Sequence, residues 1–122
     1  MDFQFIIDRG LEIRKLYEEK EKQLYGSPWT SEEIMLGFVG DVGDLAKLVI
    51  AENGKRNIEN SKQKLEHELA DCLWSLIVLA HVHDVDLESS FMNTMNELQK
   101  YLLDERNAEL NSTQNNGTNY DS

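Results

Sequence analysis

The sequence contains one cysteine, one proline and no long run of apolar residues. The single Cys72 excludes an internal disulfide and a cysteine-based zinc cluster. The longest apolar stretch, residues 76–80, is too short to cross a bilayer, and residues 1–4 lack the basic start of a signal peptide. These absences predict a cytoplasmic protein that does not contact membranes.

Basic residues are also scarce. The chain has 12 Lys and Arg against 23 Asp and Glu, a formal net charge of -11 and a pI near 4.6. Duplex nucleic acid is bound through clustered Lys and Arg, so this balance argues against nucleic acid as a partner. An acidic protein of this kind would bind an anionic substrate through a metal ion instead.

Helical periodicity covers nearly all of residues 1–110, and no alternating strand pattern is present. Four helical segments with short connections predict an all-α four-helix bundle. Residues 111–122 are polar and rich in Asn, Ser and Thr, which predicts a disordered tail. The sequence therefore predicts one all-α domain over residues 1–110, followed by that tail.

Two acidic pairs stand out, Asp41 with Asp44 and Glu68 with Asp71. Each pair has i,i+3 spacing, so both carboxylates of a pair share one face of a helix. Each pair also lies in an apolar stretch, where carboxylates are costly unless they are paired or bind a metal.

The break between the two helical patterns, residues 53–60, is short enough to predict an antiparallel hairpin. At about 1.5 Å of rise per residue, Asp44 should lie level with Glu68 and Asp41 level with Asp71. Four facing oxygen donors predict a divalent-cation site. A helical wheel places the main apolar stripe of the first of these helices at Ile34, Phe38, Val42, Leu45 and Val49, with the acids beside it.

These residues resemble a known family. The segments Gly40-Asp41-Val42-Gly43-Asp44-Leu45 and Glu68-Leu69-Ala70-Asp71 are similar to the signature of the all-α nucleoside triphosphate pyrophosphohydrolases of the MazG type. The first motif is closest to that of the dCTP pyrophosphatase branch. The resemblance covers roughly residues 25–102.

The resemblance implies a hydrolase that converts (deoxy)nucleoside triphosphates to the monophosphate and pyrophosphate, in a housecleaning role. It implies Mg²⁺, with Mn²⁺ as the alternative ion, held by the four acids Asp41, Asp44, Glu68 and Asp71, which would also carry catalysis. Trp29, Lys47 and Lys100 are the candidate substrate-binding residues. Trp29 could stack on a base or seat the following helix, and both readings stay open.

The chain departs from the family pattern. The first motif has Asp where relatives have Glu, and the basic residue and Asn that relatives place on the fourth helix fall at Thr94 and Leu98. These departures leave a second hypothesis open, a weak or inactive helical dimer that serves as a nucleotide-binding or scaffold module. A third is hydrolysis of some other phosphate anhydride.

The third helix is apolar nearly all round, including Trp74 and Ile77. A helix in a monomeric four-helix bundle keeps one side exposed to solvent, so this pattern predicts a homodimer, or a dimer of dimers, that completes the fold. The segment His67-Glu68-Leu69-Ala70-Asp71 could also suggest zinc, but His81 and His83 lie too far along the helix to complete such a site.

Overall fold

The computed structural model describes the backbone of residues 1–120 and the side chains of residues 1–114. Four helices follow one another: α1 Phe3–Tyr25, α2 Ser31–Glu52, α3 Ser61–Val82 and α4 Leu87–Tyr120. No strand occurs within residues 1–120. The predicted all-α class with four helices is confirmed.

The loop between α1 and α2 is fixed by the residues on both sides of it. Gly26 ends α1 with φ of 85°, a left-handed conformation that glycine adopts without steric cost, and its N–H donates to the carbonyl of Lys22. Thr30 caps α2 by accepting from the Glu33 N–H, and Glu33 accepts from the Thr30 N–H in return. This reciprocal pair is a capping box, and it fixes the start of α2.

Helices α2 and α3 form the predicted antiparallel hairpin across residues 53–60. The Ser61 hydroxyl donates to a Glu52 carboxylate oxygen at 2.7 Å, which holds the end of α2 against the start of α3. The apolar side chains that are buried in this part of the chain come from the two helices: Ile34, Leu48, Cys72, Ile77 and Val78.

The face of α2 that packs against α3 differs from the predicted stripe. Val42 and Val49 are 43 % and 45 % exposed, whereas Asp41 is half-buried. The helix is apolar on most of its circumference, so hydrophobicity alone does not fix its rotation. The packed face runs through Ile34, Asp41 and Leu48, so Asp41 lies between the two helices, whereas Asp44 is exposed.

Helix α1 packs on α3 at a glycine. The Trp74 indole N–H donates to the Gly10 carbonyl at 2.9 Å, and the Trp74 ring lies 5.4 Å from that of Tyr17, centroid to centroid. Ile77 is buried beside Gly10. Trp74 and Ile77 therefore pack against α1 of their own chain, so these two residues do not support the predicted dimer, which stays a prediction.

Helix α4 belongs to a second unit, which begins at Leu87. It is amphipathic, and its larger apolar side chains are exposed, among them Phe91, Leu98 and Leu102. The helix continues through residues 111–120, where the sequence predicts the start of a disordered tail, and residues 121–122 lie outside the described part of the chain. The domain boundary at residue 110 stays a prediction.

Candidate active site

Three of the four predicted acids meet between α2 and α3. Carboxylate oxygens of Asp41, Asp44 and Glu68 all lie within 4.8 Å of one another. Asp41 and Glu68 are half-buried and Asp44 is exposed, so the cluster has a closed side and an open side. The hairpin geometry thus brings Asp44 level with Glu68, as the spacing predicts.

Glu68 supplies the test of whether a cation fits. Its Oε2 atom is buried and has no hydrogen-bond partner. A buried carboxylate oxygen without a partner is costly, by several kcal/mol or more if it is charged. A hard divalent cation such as Mg²⁺ takes oxygen ligands of this type, so the donor set and the orphan oxygen both fit such an ion.

The cluster disfavours its own negative charge. Burial raises the pKa of Asp41, and the neighbouring carboxylates of Asp71 and Asp44 raise it further, against a smaller opposing effect of His67. Burial likewise raises the pKa of Glu68, with Asp41 as the next largest cause. The pKa of the buried Cys72 thiol is raised by burial and by the same acids, which keeps this cysteine protonated and unreactive.

Asp71 lies at the side of this cluster. Its Oδ2 atom is 3.1 Å from Nε2 of His67, one helical turn earlier. Asp71 is not one of the three acids whose oxygens converge within 4.8 Å. After burial, its charge is the largest cause of the raised pKa of Asp41. The structure therefore separates the four predicted ligands into three that converge and one that pairs with a histidine.

We expect the metal-free protein to lose stability as the pH rises above the ordinary pKa values of 3.8 for Asp and 4.5 for Glu. Because folding raises both pKa values, the folded state binds more protons than the unfolded state in this window. The binding of these extra protons stabilises the folded state at lower pH, and this stabilisation is lost as the pH rises through the raised pKa values of Asp41 and Glu68. Urea melts of wild type and Asp41→Asn in EDTA, from pH 4 to 7.5, measure the effect.

In these melts the wild type should lose stability relative to Asp41→Asn as the pH rises. The matched control is Glu12→Gln, which removes a carboxylate on the exposed side of α1. Parallel curves for all three proteins would show that the cluster carries no such charge strain.

A cleft of about 470 Å³ opens beside the acids, bordered by α1, the loop, α2 and α3. Asp41 and Asp71 line one side of it. Much of the rest is aromatic, from Tyr17, Tyr25, Trp29, Phe38 and Trp74. Its size and its flat apolar walls suit a planar heterocycle.

A second cleft of about 380 Å³ opens on the other flank of the acids, lined in part by Asp44 and Glu68. It also carries Lys47, Lys64 and Gln63, and His67 borders both clefts. The acids therefore lie between an aromatic cleft and a cleft with two lysines. Lysine ammonium groups are common ligands of phosphate oxygens.

The predicted substrate-binding residues fall in three different places. Trp29 lines the aromatic cleft, 44 % exposed, with its ring 3.6 Å from the position of a Cβ on Gly37. Lys47 lines the second cleft. Lys100 is exposed on α4, in the other unit, and its assignment stays a prediction.

Sequence reasoning missed two residues of the aromatic cleft. Arg14 and Glu21 are both buried, although the surrounding run of charges at 18–22 is typical of a solvated face. The two residues are seven positions apart, which is about two helical turns, so they lie on the same face of α1 as Gly10. This spacing was the sequence signal that could have indicated their shared burial.

None of the helices in the described part of the chain is long and apolar enough to cross a membrane.

These features define a class of protein, an all-α protein with an acidic cluster between two antiparallel helices that could hold a cation. A family model described as the MazG nucleotide pyrophosphohydrolase domain matches residues 29–102, more than half of the chain. The match includes both acidic pairs. The chain therefore belongs to the MazG family, whose domain hydrolyses phosphate anhydrides of nucleotides. Neither a curated protein nor a solved structure matched the chain.

Proposed function

We propose that this protein hydrolyses (deoxy)nucleoside triphosphates to the monophosphate and pyrophosphate, with Mg²⁺ held by the acids of α2 and α3. The observation that carries this proposal is the convergence of carboxylate oxygens of Asp41, Asp44 and Glu68 within 4.8 Å of one another, together with the buried Glu68 Oε2 atom that has no hydrogen-bond partner. Because the cluster lies in a MazG domain, a nucleotide is the substrate class that it fits. Mn²⁺ is the alternative ion, since it accepts the same oxygen ligands.

The four acids have two different roles, metal binding and proton acceptance. Asp41, Asp44 and Glu68 would hold the metal, which when bound would neutralise phosphate charge and make a water more acidic. We assign Asp71 as the acceptor of the proton from the attacking water, because its carboxylate is not among the three that converge. His67, 3.1 Å away, orients Asp71 and can share the proton.

The two clefts give the substrate a direction. The aromatic cleft takes the base and sugar, with Trp29 as a stacking surface. The second cleft takes the two terminal phosphates, with Lys47 and Lys64 as their cationic partners. This direction places the α-phosphorus at the acids, between the clefts, and so predicts cleavage between the α- and β-phosphates. Lys100 of α4 stays a candidate for an additional phosphate contact.

The test is a panel of NTPs and dNTPs incubated with the pure protein and Mg²⁺, with the products separated by anion exchange. We expect monophosphate and pyrophosphate from at least one nucleotide, and dCTP belongs in the panel because of the motif Gly40–Leu45. EDTA is the control and should stop the reaction. Release of the nucleoside diphosphate and orthophosphate would contradict the proposed direction of binding. If no nucleotide in the panel gives a product, the enzyme proposal is overturned.

The second candidate function is a nucleotide-binding or scaffold module without turnover. The shortened acids Asp41 and Asp44 favour it, because each places its oxygens one methylene nearer the backbone than Glu would. Their oxygens nevertheless reach those of Glu68 within 4.8 Å, which favours the enzyme. Nucleotide binding without product in the same panel would select the module.

The proposal includes a homodimer, or a dimer of dimers, in the cytoplasm, where the nucleotide pool is found. Its support is an uncovered apolar face of α2 and α3, formed by Val42, Val49, Leu69, Leu73 and Leu76, which we term the open face. On antiparallel helices these positions fall on one side of the hairpin, away from the side on which Trp74 and Ile77 meet α1. A contiguous apolar surface of this kind marks a protein contact.

A further inference from the structure

A buried ion pair on α1 holds the backbone of Trp29. Arg14 and Glu21 are 8 % and 7 % exposed, and they are the charged side chains that are buried within residues 1–114. Arg14 Nη1 donates to Glu21 Oε2 at 3.0 Å. Arg14 Nε is also 3.5 Å from a carboxylate oxygen of Glu18. The pair thus spans two turns of α1 on the face that borders the aromatic cleft.

Both members of the pair also bind the loop. The Trp29 N–H donates to Glu21 Oε1 at 2.7 Å, and Arg14 Nη2 donates to the Trp29 carbonyl at 3.3 Å. The two backbone polar groups of Trp29 are therefore both held by side chains of α1. Each oxygen of Glu21 has its own partner, so the arrangement is satisfied as a network.

A pair of this kind is expensive to bury, and an apolar pair of similar volume often gives equal or greater stability. What the charged pair adds is position: charge-assisted hydrogen bonds hold the peptide groups on both sides of the Trp29 Cα against α1. The indole of Trp29 extends from this Cα into the cleft, against Gly37. The next residue, Thr30, is fixed separately by Glu33 at the start of α2.

We propose that Arg14 and Glu21 are positioning residues that set the indole of Trp29 as a wall of the nucleoside cleft, and thereby set substrate affinity. This inference rests on the proposed function for its effect on affinity. Its structural part, the placement of Trp29, does not depend on any activity. Neither residue reaches the acids, so their loss should change KM rather than kcat.

The experiment uses Glu21→Gln and Arg14→Lys in the full chain labelled with 5-fluorotryptophan. The two tryptophans give two ¹⁹F resonances, and Trp29→Phe assigns them. We expect each variant to shift or broaden the Trp29 resonance and to leave that of Trp74 in place. We expect KM for the nucleotide to rise about tenfold, because small displacements of positioning groups have effects of this size or larger, with kcat changed less than about threefold.

The matched controls are Arg9→Lys and Glu12→Gln, an exposed ion pair on the same helix with a 2.9 Å contact. They should leave both resonances and KM unchanged. The inference is overturned if Glu21→Gln and Arg14→Lys lower the melting temperature but leave the Trp29 resonance and KM at wild-type values. Unfolding of both variants would also overturn it, since the pair would then serve the fold itself. If wild type turns over no nucleotide, the proposed function fails while the ¹⁹F spectra still decide the placement of Trp29.

Discussion

Replacing Asp41 with Asn, or Glu68 with Gln, should abolish pyrophosphate release and the stabilisation of the protein by Mg²⁺. Both acids contribute oxygens to the convergent group, and Glu68 carries the buried oxygen without a partner. Loss of a partner that merely supports a metal ligand costs about 10- to 100-fold in affinity or activity. Loss of a direct ligand should cost at least about a hundredfold.

The same substitutions should leave the metal-free protein as stable as wild type or slightly more stable. Burial and neighbouring carboxylates raise the pKa of both acids, so their ionised forms are disfavoured in the fold. Removing one charge relieves that strain. Mg²⁺ stabilises wild type because it binds the folded state, and it should lose this effect on the variants.

Thermal melts of wild type, Asp41→Asn and Glu68→Gln, with EDTA or with Mg²⁺, measure both effects together. Glu59→Gln is the matched control, because Glu59 is an exposed acid in the loop before α3. It should behave as wild type in every condition. Structural salt bridges at the acids would give the opposite pattern, with metal-free variants less stable and Mg²⁺ acting equally on all proteins.

The convergence of the acids between α2 and α3 was largely predictable because it depends on distances along helices. Asp44 and Glu68 are nearly equidistant from the short break at residues 53–60, so any antiparallel hairpin brings them level. The rise per residue does not depend on which helix face is packed. The level of the acids could therefore be predicted even though the rotation of α2 was not.

The rotation of α2 about its axis and the burial of Arg14 and Glu21 on α1 could not be predicted from the sequence, for a common reason. On α2, apolar residues surround the helix, and the packed face is chosen by its fit to α3, as the exposure of Val42 and Val49 shows. On α1, Arg14 and Glu21 are buried because each satisfies the other and the Trp29 backbone. Hydropathy scores residues one at a time and cannot anticipate a polar network that forms only in three dimensions.

Replacing Leu73 with Glu should convert a homodimer into a monomer. Leu69, Leu73 and Leu76 are 52 %, 39 % and 43 % exposed along one side of α3, at the centre of the open face. In a dimer this face is buried, and a carboxylate there would be an unpaired buried charge, whose cost of several kcal/mol corresponds to more than about a thousandfold in affinity. Because Leu73 is exposed in the single chain, the fold of α1, α2 and α3 should persist.

Sedimentation at micromolar concentration measures the change, with circular dichroism as the check on helix content. The matched control is Leu16→Glu, the same substitution at an exposed leucine of α1, which should leave the mass unchanged. A wild type that sediments as a monomer would contradict the dimer outright. A dimer that persists in Leu73→Glu would show that the contact uses another surface. The exposed apolar residues of α4, such as Phe91 and Leu102, are the second large candidate for that surface. The proposed cation site uses acids of α2 and α3 of one chain, so Mg²⁺ should still raise the melting temperature of the Leu73→Glu monomer.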